Sequence, residues 1–293
     1  MSEMRFDGAV ALVTGAGSGI GRNHALELAR RGARVMINDI AVGEDGVPIA
    51  ERLALELSAE GLQVAANTGS VADEAAAAAM VEETVARFGR IDLLVSNAGG
   101  GSARKVQDLP TAEFRKVMEL HVFGSFWGTR AALPHMRAQN FGRIVNTSSA
   151  LGAFGAPNAA AYVTAKAALV GLTRATALDN ADCDIRVNAL APVAYTPLAA
   201  QYYARVLPHL DTSKLDIANV TPAVLFLLSK ECQLSGETIA VGGGRIARIF
   251  TAVGPGYRPG TLQAEDIAGN LDTIISTDAF EILRNSEEQY RFL

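Results

Sequence analysis

Short apolar runs recur along most of the chain, most of them closing on glycine, asparagine or aspartate and giving way to a stretch with helical spacing. The runs Val10 to Val13, Arg34 to Asn38, Leu62 to Ala66, Ile91 to Ser96, Ile144 to Thr147, Ile185 to Leu190 and Thr238 to Val241 read as strands. Between them, Asn23 to Arg31 (stopped by Gly32), Ile49 to Glu60 (closed by Gly61), Glu74 to Phe88, Tyr162 to Leu178 and Pro222 to Leu228 read as helices. A further long helix opens at Thr111, whose hydroxyl is expected to cap it, and runs through His121 to about Met136 with a kink or break at Pro134. Strands alternating with helices predict an α/β fold with one doubly wound parallel sheet of about seven strands, functional groups gathering at the C-terminal strand ends.

Two regions escape this rhythm. Val193 to Asp216, carrying Tyr195, Thr196, Tyr202 and Tyr203, has no single period; it reads either as a substrate lid for a lipophilic ligand or as ordinary loop packing. Arg245 to Leu293 contains a Gly/Pro stretch, Gly254 to Gly260, and two expected short helices, Ala264 to Leu271 and Ala279 to Glu288. The domain organisation expected is therefore a single catalytic domain over 1–244 and an extension, 245–293, packed on that domain or on a neighbouring subunit.

At the end of the first run lies Thr14-Gly15-Ala16-Gly17-Ser18-Gly19-Ile20-Gly21, and the second ends at Asp39. Strand, glycine turn, helix, strand and acid follow the order of a Rossmann-type dinucleotide-binding unit: the glycines permit a tight turn, close backbone approach to a pyrophosphate and close helix-on-strand packing. Gly15, Gly17, Ser18, Gly19, Ile20 and Gly21 are accordingly candidates for holding a cofactor. Asp39 favours NAD, because a carboxylate accepts hydrogen bonds from ribose hydroxyls and repels the 2′-phosphate of NADP. The fourth run leads into Asn97-Ala98-Gly99-Gly100, a second turn suited to cofactor contact.

The fifth run opens the stretch IVNTSSALGAFGAPNAAAYVTAK, which holds Ser149, Tyr162 and Lys166. Tyr162 and Lys166 stand one helical turn apart on one face, and a nearby ammonium is expected to pull the phenol toward its ionised form. Ser149 falls just past a strand and beside the start of that helix. His121 admits two readings, a satisfied interior histidine or a group holding a backbone carbonyl or water behind Lys166.

Composition narrows the class further. The 293 residues are 49% hydrophobic and 19% charged with a formal net charge of −5, and the 26 lysines and arginines are scattered, which argues against a nucleic-acid partner. Cys183 and Cys232 are too few for a disulfide framework and lack metal-ligand spacing; both are expected to be small buried residues, and no metal is expected. No long apolar run precedes the glycine turn and no 18-residue apolar stretch occurs, so neither a signal peptide nor a membrane partner is expected, and the cytoplasm is the expected compartment.

These residues together resemble the short-chain dehydrogenase/reductase family over roughly Gly8 to Gly244: Thr14 to Gly21 in the register TGxxxGIG, Asn97-Ala98-Gly99, and Ser149 with Tyr162-x-x-x-Lys166, all in family order. The resemblance implies that Tyr162 transfers the proton, that Ser149 hydrogen-bonds the reacting oxygen, and that Lys166 binds the nicotinamide ribose while lowering the tyrosine pKa. It also places Ser70, Val71, Asn97, Ala98, Gly99, Pro192 and Thr196 at the cofactor. Three positions depart from the family pattern: His121 stands where many members have an asparagine completing a proton relay, Ser70 where an aspartate often contacts adenine, and Val193 where a glycine commonly follows Pro192. His121, the lead from Asp39 to Ile49 and the tail are similar to the 3-hydroxyacyl-CoA dehydrogenase part of multifunctional beta-oxidation enzymes, some of which oxidise steroids. The implied function is NAD-dependent interconversion of a secondary alcohol and a ketone, with a hydroxyacyl-CoA or hydroxysteroid as leading substrate class, in a homo-oligomer (tetramer or dimer) built partly on the His121 and Tyr162 helices. The competing reading is a catalytically silent NAD-binding sensor or assembly protein, against which the three intact residues argue.

Overall fold

A computed structural model describes residues 3–196, 199–200, 203–204, 208–209 and 211–292. The strands are β1 (Val10–Thr14), β2 (Arg34–Asn38), β3 (Val64–Asn67), β4 (Leu93–Ser96), β5 (Gly142–Thr147), β6 (Ile185–Pro192), β7 (Thr238–Gly242) and β8 (Arg245–Ile249). They form one sheet in the order β3-β2-β1-β4-β5-β6-β7-β8, parallel from β3 through β7. The expected doubly wound sheet is thus present, with an eighth strand. β8 follows β7 through Gly243 and Gly244, both at positive φ (57° and 77°), the backbone that a two-residue hairpin turn demands.

Side-chain alternation explains why the strands read as nearly continuous apolar runs. In β1, Ala11 and Val13 enter one core cluster while Leu12 enters the other; β4 divides Leu93 and Val95 from Leu94, and β5 divides Val145 from Ile144. Helices α1 (Gly19–Arg30), α2 (Ile49–Ala59) and α8 (Thr221–Leu228) contribute to the first cluster, and α3 (Glu74–Phe88) and α5 (Gly124–Ala138) to the second. The alanine-rich α3 starts at Asp73, whose carboxylate accepts from the Ala76 amide at 2.7 Å.

The long helix differs from its expectation at two points. Pro110, not Thr111, occupies the cap position of α4 (Thr111–Met118), and no side chain caps it. The break comes at a π-turn, Glu119–Phe123, while Pro134 lies inside α5. Pro134 and Arg130 are both on the exposed face, where water can take the Arg130 carbonyl that a proline leaves unpaired. Beyond β5, a short α6 (Ala150–Phe154) precedes α7 (Ala160–Asp179).

The chain divides into two compact units, Met1–Arg248 and Ile249–Leu293. In the second, α9 (Ala264–Gly269) starts with a capping box between Gln263 and Asp266, and α10 is Leu271–Ile274. The helix expected over 279–288 is absent: Glu281 pairs with Val253 in an antiparallel bridge, and Asn285 accepts from the Glu288 amide, starting a 3-10 helix at Glu287–Phe292. Long-range pairing here overrides local helical spacing. Cys232 is buried as expected, but Cys183 is only half-buried. Among the described residues no helix is long and apolar enough to cross a membrane.

Candidate active site

The candidate residues gather at the C-terminal ends of β1, β2, β4, β5 and β6, around the point between β1 and β4 where the strand order reverses. On one side lies the glycine turn. Gly15 and Gly19 take φ of 62° and 56°, which side-chain-bearing residues resist. A Cβ on Gly17 would lie 2.8 Å from Asp39 Oδ2, and one on Gly21 only 2.3 Å from the Gly15 carbonyl. These contacts press α1 and Asp39 onto the turn. α1 begins after Ser18 with no side-chain cap and no acid in its first turn, so its N-terminal amides are open to an anion. Ile20 packs on the first core cluster and anchors this end.

Asp39 Oδ2 accepts from the Gly17 amide at 2.9 Å and Oδ1 from the Ala41 amide at 2.8 Å. The turn after β4 is stitched to β1: the Asn97 and Ala98 amides donate to Thr14 Oγ1 (3.0 and 3.1 Å), and Asn97 Nδ2 donates to the carbonyls of Thr14 and Gly15 (3.1 and 3.2 Å). A Cβ on Gly15 would lie 2.7 Å from Ala98 Cα. The residues therefore fit a dinucleotide: glycines that admit a backbone-close pyrophosphate, an uncapped helix end, and a carboxylate beside the turn. Ser70 accepts from the Ala72 amide at 3.2 Å, and Val71 beside it is buried.

On the other side lies the phenol. Lys166 is buried and Nζ donates to the Thr147 carbonyl at the end of β5 at 2.5 Å, with the Tyr162 ring centroid 5.5 Å away. Ser148 Oγ donates to the Lys166 carbonyl at 2.7 Å, and a Cβ on Gly152 would lie 2.6 Å from the Lys166 carbonyl carbon. β5, α6 and α7 thus meet around one side chain. Burial lowers the Lys166 pKa to about 7. Ser149 caps α6 by accepting from the Leu151 amide at 3.1 Å, and its hydroxyl lowers the pKa of the nearby Tyr162 phenol.

The expected effect of Lys166 on Tyr162 is not what this geometry gives. The Tyr162 pKa is raised, first by burial and further by Tyr203, with the Ser149 hydroxyl opposing. The ammonium sits against the ring, is engaged by Thr147, and is itself held near neutrality by burial, so it does little to draw out the phenolic proton.

His121 lies buried in the π-turn. Its Nε2 is 2.9 Å from the Gly100 carbonyl oxygen and 3.2 Å from the Gly100 amide nitrogen, and its ring meets the Tyr162 ring edge-on (centroids 5.5 Å apart, 89°). Burial, then the Lys166 charge, lower its pKa to about 3 against the opposing Gly100 hydrogen bond, so it is neutral. Nδ1 is buried with no partner among the described residues, a cost of about 1–3 kcal/mol.

Pro192 ends β6. Thr196 Oγ1 accepts from the Ala199 amide at 3.2 Å, opening a helical turn, and the exposed Tyr195 stacks on Tyr203 with centroids 6.3 Å apart. Tyr202 lies outside the described residues. Sequence reasoning did not single out Thr14, Thr147 and Ser148, which act through a hydroxyl or carbonyl placed by strand ends; their position directly after apolar runs was the available signal.

A family model described as short chain dehydrogenase matches residues 9–205. A cis-4-hydroxycyclohexanecarboxylate dehydrogenase of Sinomonas cyclohexanicum is 39% identical over 81% of this chain and 96% of its own. The peroxisomal multifunctional enzyme type 2 of Drosophila melanogaster is 34% identical over 87% of this chain, which spans only 42% of that enzyme's length. The crystal structure of a short chain dehydrogenase from Mycobacterium avium superposes with a TM-score of 0.81 at 34% identity, covering 92% of this chain and 95% of that one.

The buried Lys166 generates a stability signature. Its pKa is about 7 in the folded protein against 10.5 ordinarily, so between these values the unfolded chain binds more protons and folding stability gains as pH rises. Urea unfolding should show wild type gaining stability relative to Lys166→Met from pH 7 to 9. A constant difference would contradict the burial of an ionisable ammonium.

Proposed function

This chain belongs to the short-chain dehydrogenase family and is an oxidoreductase, and we propose that it uses NAD to interconvert a secondary alcohol and a ketone at Ser149, Tyr162 and Lys166. The observation that carries the reading is a buried Lys166 against the ring of Tyr162, with the Ser149 hydroxyl acting on the same phenol, at the strand ends next to the glycine turn. The glycine turn, Asp39 and the Asn97 turn are the residues that would hold the dinucleotide, with Ser70, Val71, Pro192 and Thr196 assigned to it by family position. When bound, the dinucleotide supplies the acceptor or donor of the electron pair and hydrogen exchanged with the carbinol carbon.

The protein's own work is proton transfer and orientation. In the oxidising direction Tyr162 first releases its own proton to solvent, and the phenolate then takes the proton of the substrate O–H as the carbonyl forms; in reduction the phenol gives that proton back to the carbonyl oxygen. Ser149 donates to the substrate oxygen and steadies its charge. Burial keeps Tyr162 a neutral phenol at neutral pH, the form that donates.

NAD over NADP is supported by the Asp39 carboxylate held at the Gly17 amide, and by Arg22, the basic residue that follows the glycine turn, facing Glu56 at 3.8 Å. For the substrate, the resemblance to multifunctional beta-oxidation enzymes keeps a 3-hydroxyacyl-CoA or hydroxysteroid as the leading class, and the Sinomonas relative adds cyclic hydroxy acids. Exposed Phe123, Phe126 and Leu178, on the π-turn, α5 and α7, support a homo-oligomer, tetramer or dimer. Two unpaired cysteines fit a reducing compartment such as the cytoplasm. The alternative, a silent NAD-binding sensor, has no use for Ser149, Tyr162 and a buried Lys166 gathered at one place.

Replacing Tyr162 by Phe should cut kcat by about 10²–10⁴-fold while NAD affinity, read by calorimetry, stays within about threefold; undiminished turnover would overturn the mechanism. Asp39→Ser should raise kcat/KM with NADP relative to NAD by about tenfold or more, since a carboxylate no longer meets the 2′-phosphate. A wild type that already prefers NADP would refute the role given to Asp39.

A further inference from the structure

His121 is more than filling. Its Nε2 hydrogen-bonds Gly100, and Gly99 must be glycine because a Cβ there would lie 2.6 Å from the imidazole Cε1. The same ring meets Tyr162 edge-on at 5.5 Å. A phenylalanine would occupy the same space without leaving Nδ1 buried and unpaired, so the bond from Nε2 to Gly100 is what a histidine adds here. The π-turn gives the ring this station: the extra residue at Glu119–Phe123 shifts the helical register, and the His121 carbonyl is taken up by Ser125 Oγ at 2.8 Å. One rigid side chain therefore touches both halves of the site, the turn after β4 and the tyrosine of α7.

We infer that His121 is a positioning residue: its ring holds the Tyr162 phenol and the Gly99–Gly100 turn in fixed register. It touches no reacting atom. The inference rests on Tyr162 being the proton-transferring group, and the groups that face that phenol are Ser149, Lys166 and Tyr203.

The two contacts can be separated by substitution. His121→Phe keeps a ring against Tyr162 and loses the bond to Gly100; His121→Asn keeps a donor and loses the ring; His121→Ala loses both. With the alcohol that wild type oxidises, Phe and Asn should each lower kcat by about tenfold and Ala by about a hundredfold, with KM and NAD affinity within about threefold, because misplacement of a reacting group costs rate rather than binding. A His121→Phe protein with wild-type kcat reduces the residue to filling and overturns the inference.

A second readout needs no turnover. In tyrosine-ring 13C NMR, with Tyr162→Phe assigning the resonance, His121→Ala should let water reach the phenol and bring its raised pKa down by about one unit, while His121→Phe should leave it in place. Tyr162 titrating identically in wild type and in folded His121→Ala would contradict the inference. A wild type that oxidises no alcohol sinks the functional reading alone, and the titration still decides the role of His121. If the Ala protein does not fold, the Phe and Asn variants carry the test through kcat.

Discussion

A buried ammonium is the constraint on which the site depends. Removing a charged amine from water is costly unless it is paired, and Lys166 has for this purpose one strand-end carbonyl, Thr147, and the flank of an aromatic ring. That arrangement dictates the surroundings. α7 must start where β5 ends, Ser148 must hold the Lys166 backbone, and α6 must approach so closely that only a glycine, Gly152, fits between the helices. The cost shows in the lysine itself, whose pKa falls to about 7, and their own burial acts likewise on its neighbours, pushing the phenol up and the imidazole down. A site in which the lysine, the phenol and the imidazole are each biased toward the neutral form suits chemistry that moves a proton together with a hydride.

The second half of the site is made of backbone. Thr14 and Asn97 join the ends of β1 and β4, and the glycine turn between them owes its shape to contacts that leave no room for side chains. Because β1 connects onward to one edge of the sheet and β4 to the other, a crevice opens above this pair of strands, which is where open α/β sheets take their ligands. His121 spans the distance between that backbone half and the phenol half.

Much of this was legible in the sequence because the sheet is covered on both faces, so its inner strands stand out as apolar runs, and because Tyr162 and Lys166 share a helix face by simple periodicity. What was not legible depended on tertiary contacts. The π-turn at Glu119–Phe123 has no local signature, whereas Pro134 advertises a break that its solvent-facing position renders harmless. The bridge from Glu281 to Val253 displaces a helix that local spacing favoured, and Thr111 yields its capping place to Pro110. From their separation along a helix alone, the charge of Lys166 is expected to pull Tyr162 toward its ionised form. Burial of both groups, which spacing cannot report, reverses the direction.

The proposed chemistry requires a carbinol hydrogen to leave with its electron pair at the Tyr162 site and to reach NAD. Secondary alcohols deuterated at the carbinol carbon, drawn from cyclic hydroxy acids, 3-hydroxyacyl thioesters and hydroxysteroids, test it most directly when the reduced cofactor is analysed by mass spectrometry. Deuterium should appear in the reduced cofactor with at least one of these classes. Folded, NAD-binding protein that gives no reduced cofactor with any of them, or reduced cofactor free of deuterium, would contradict it.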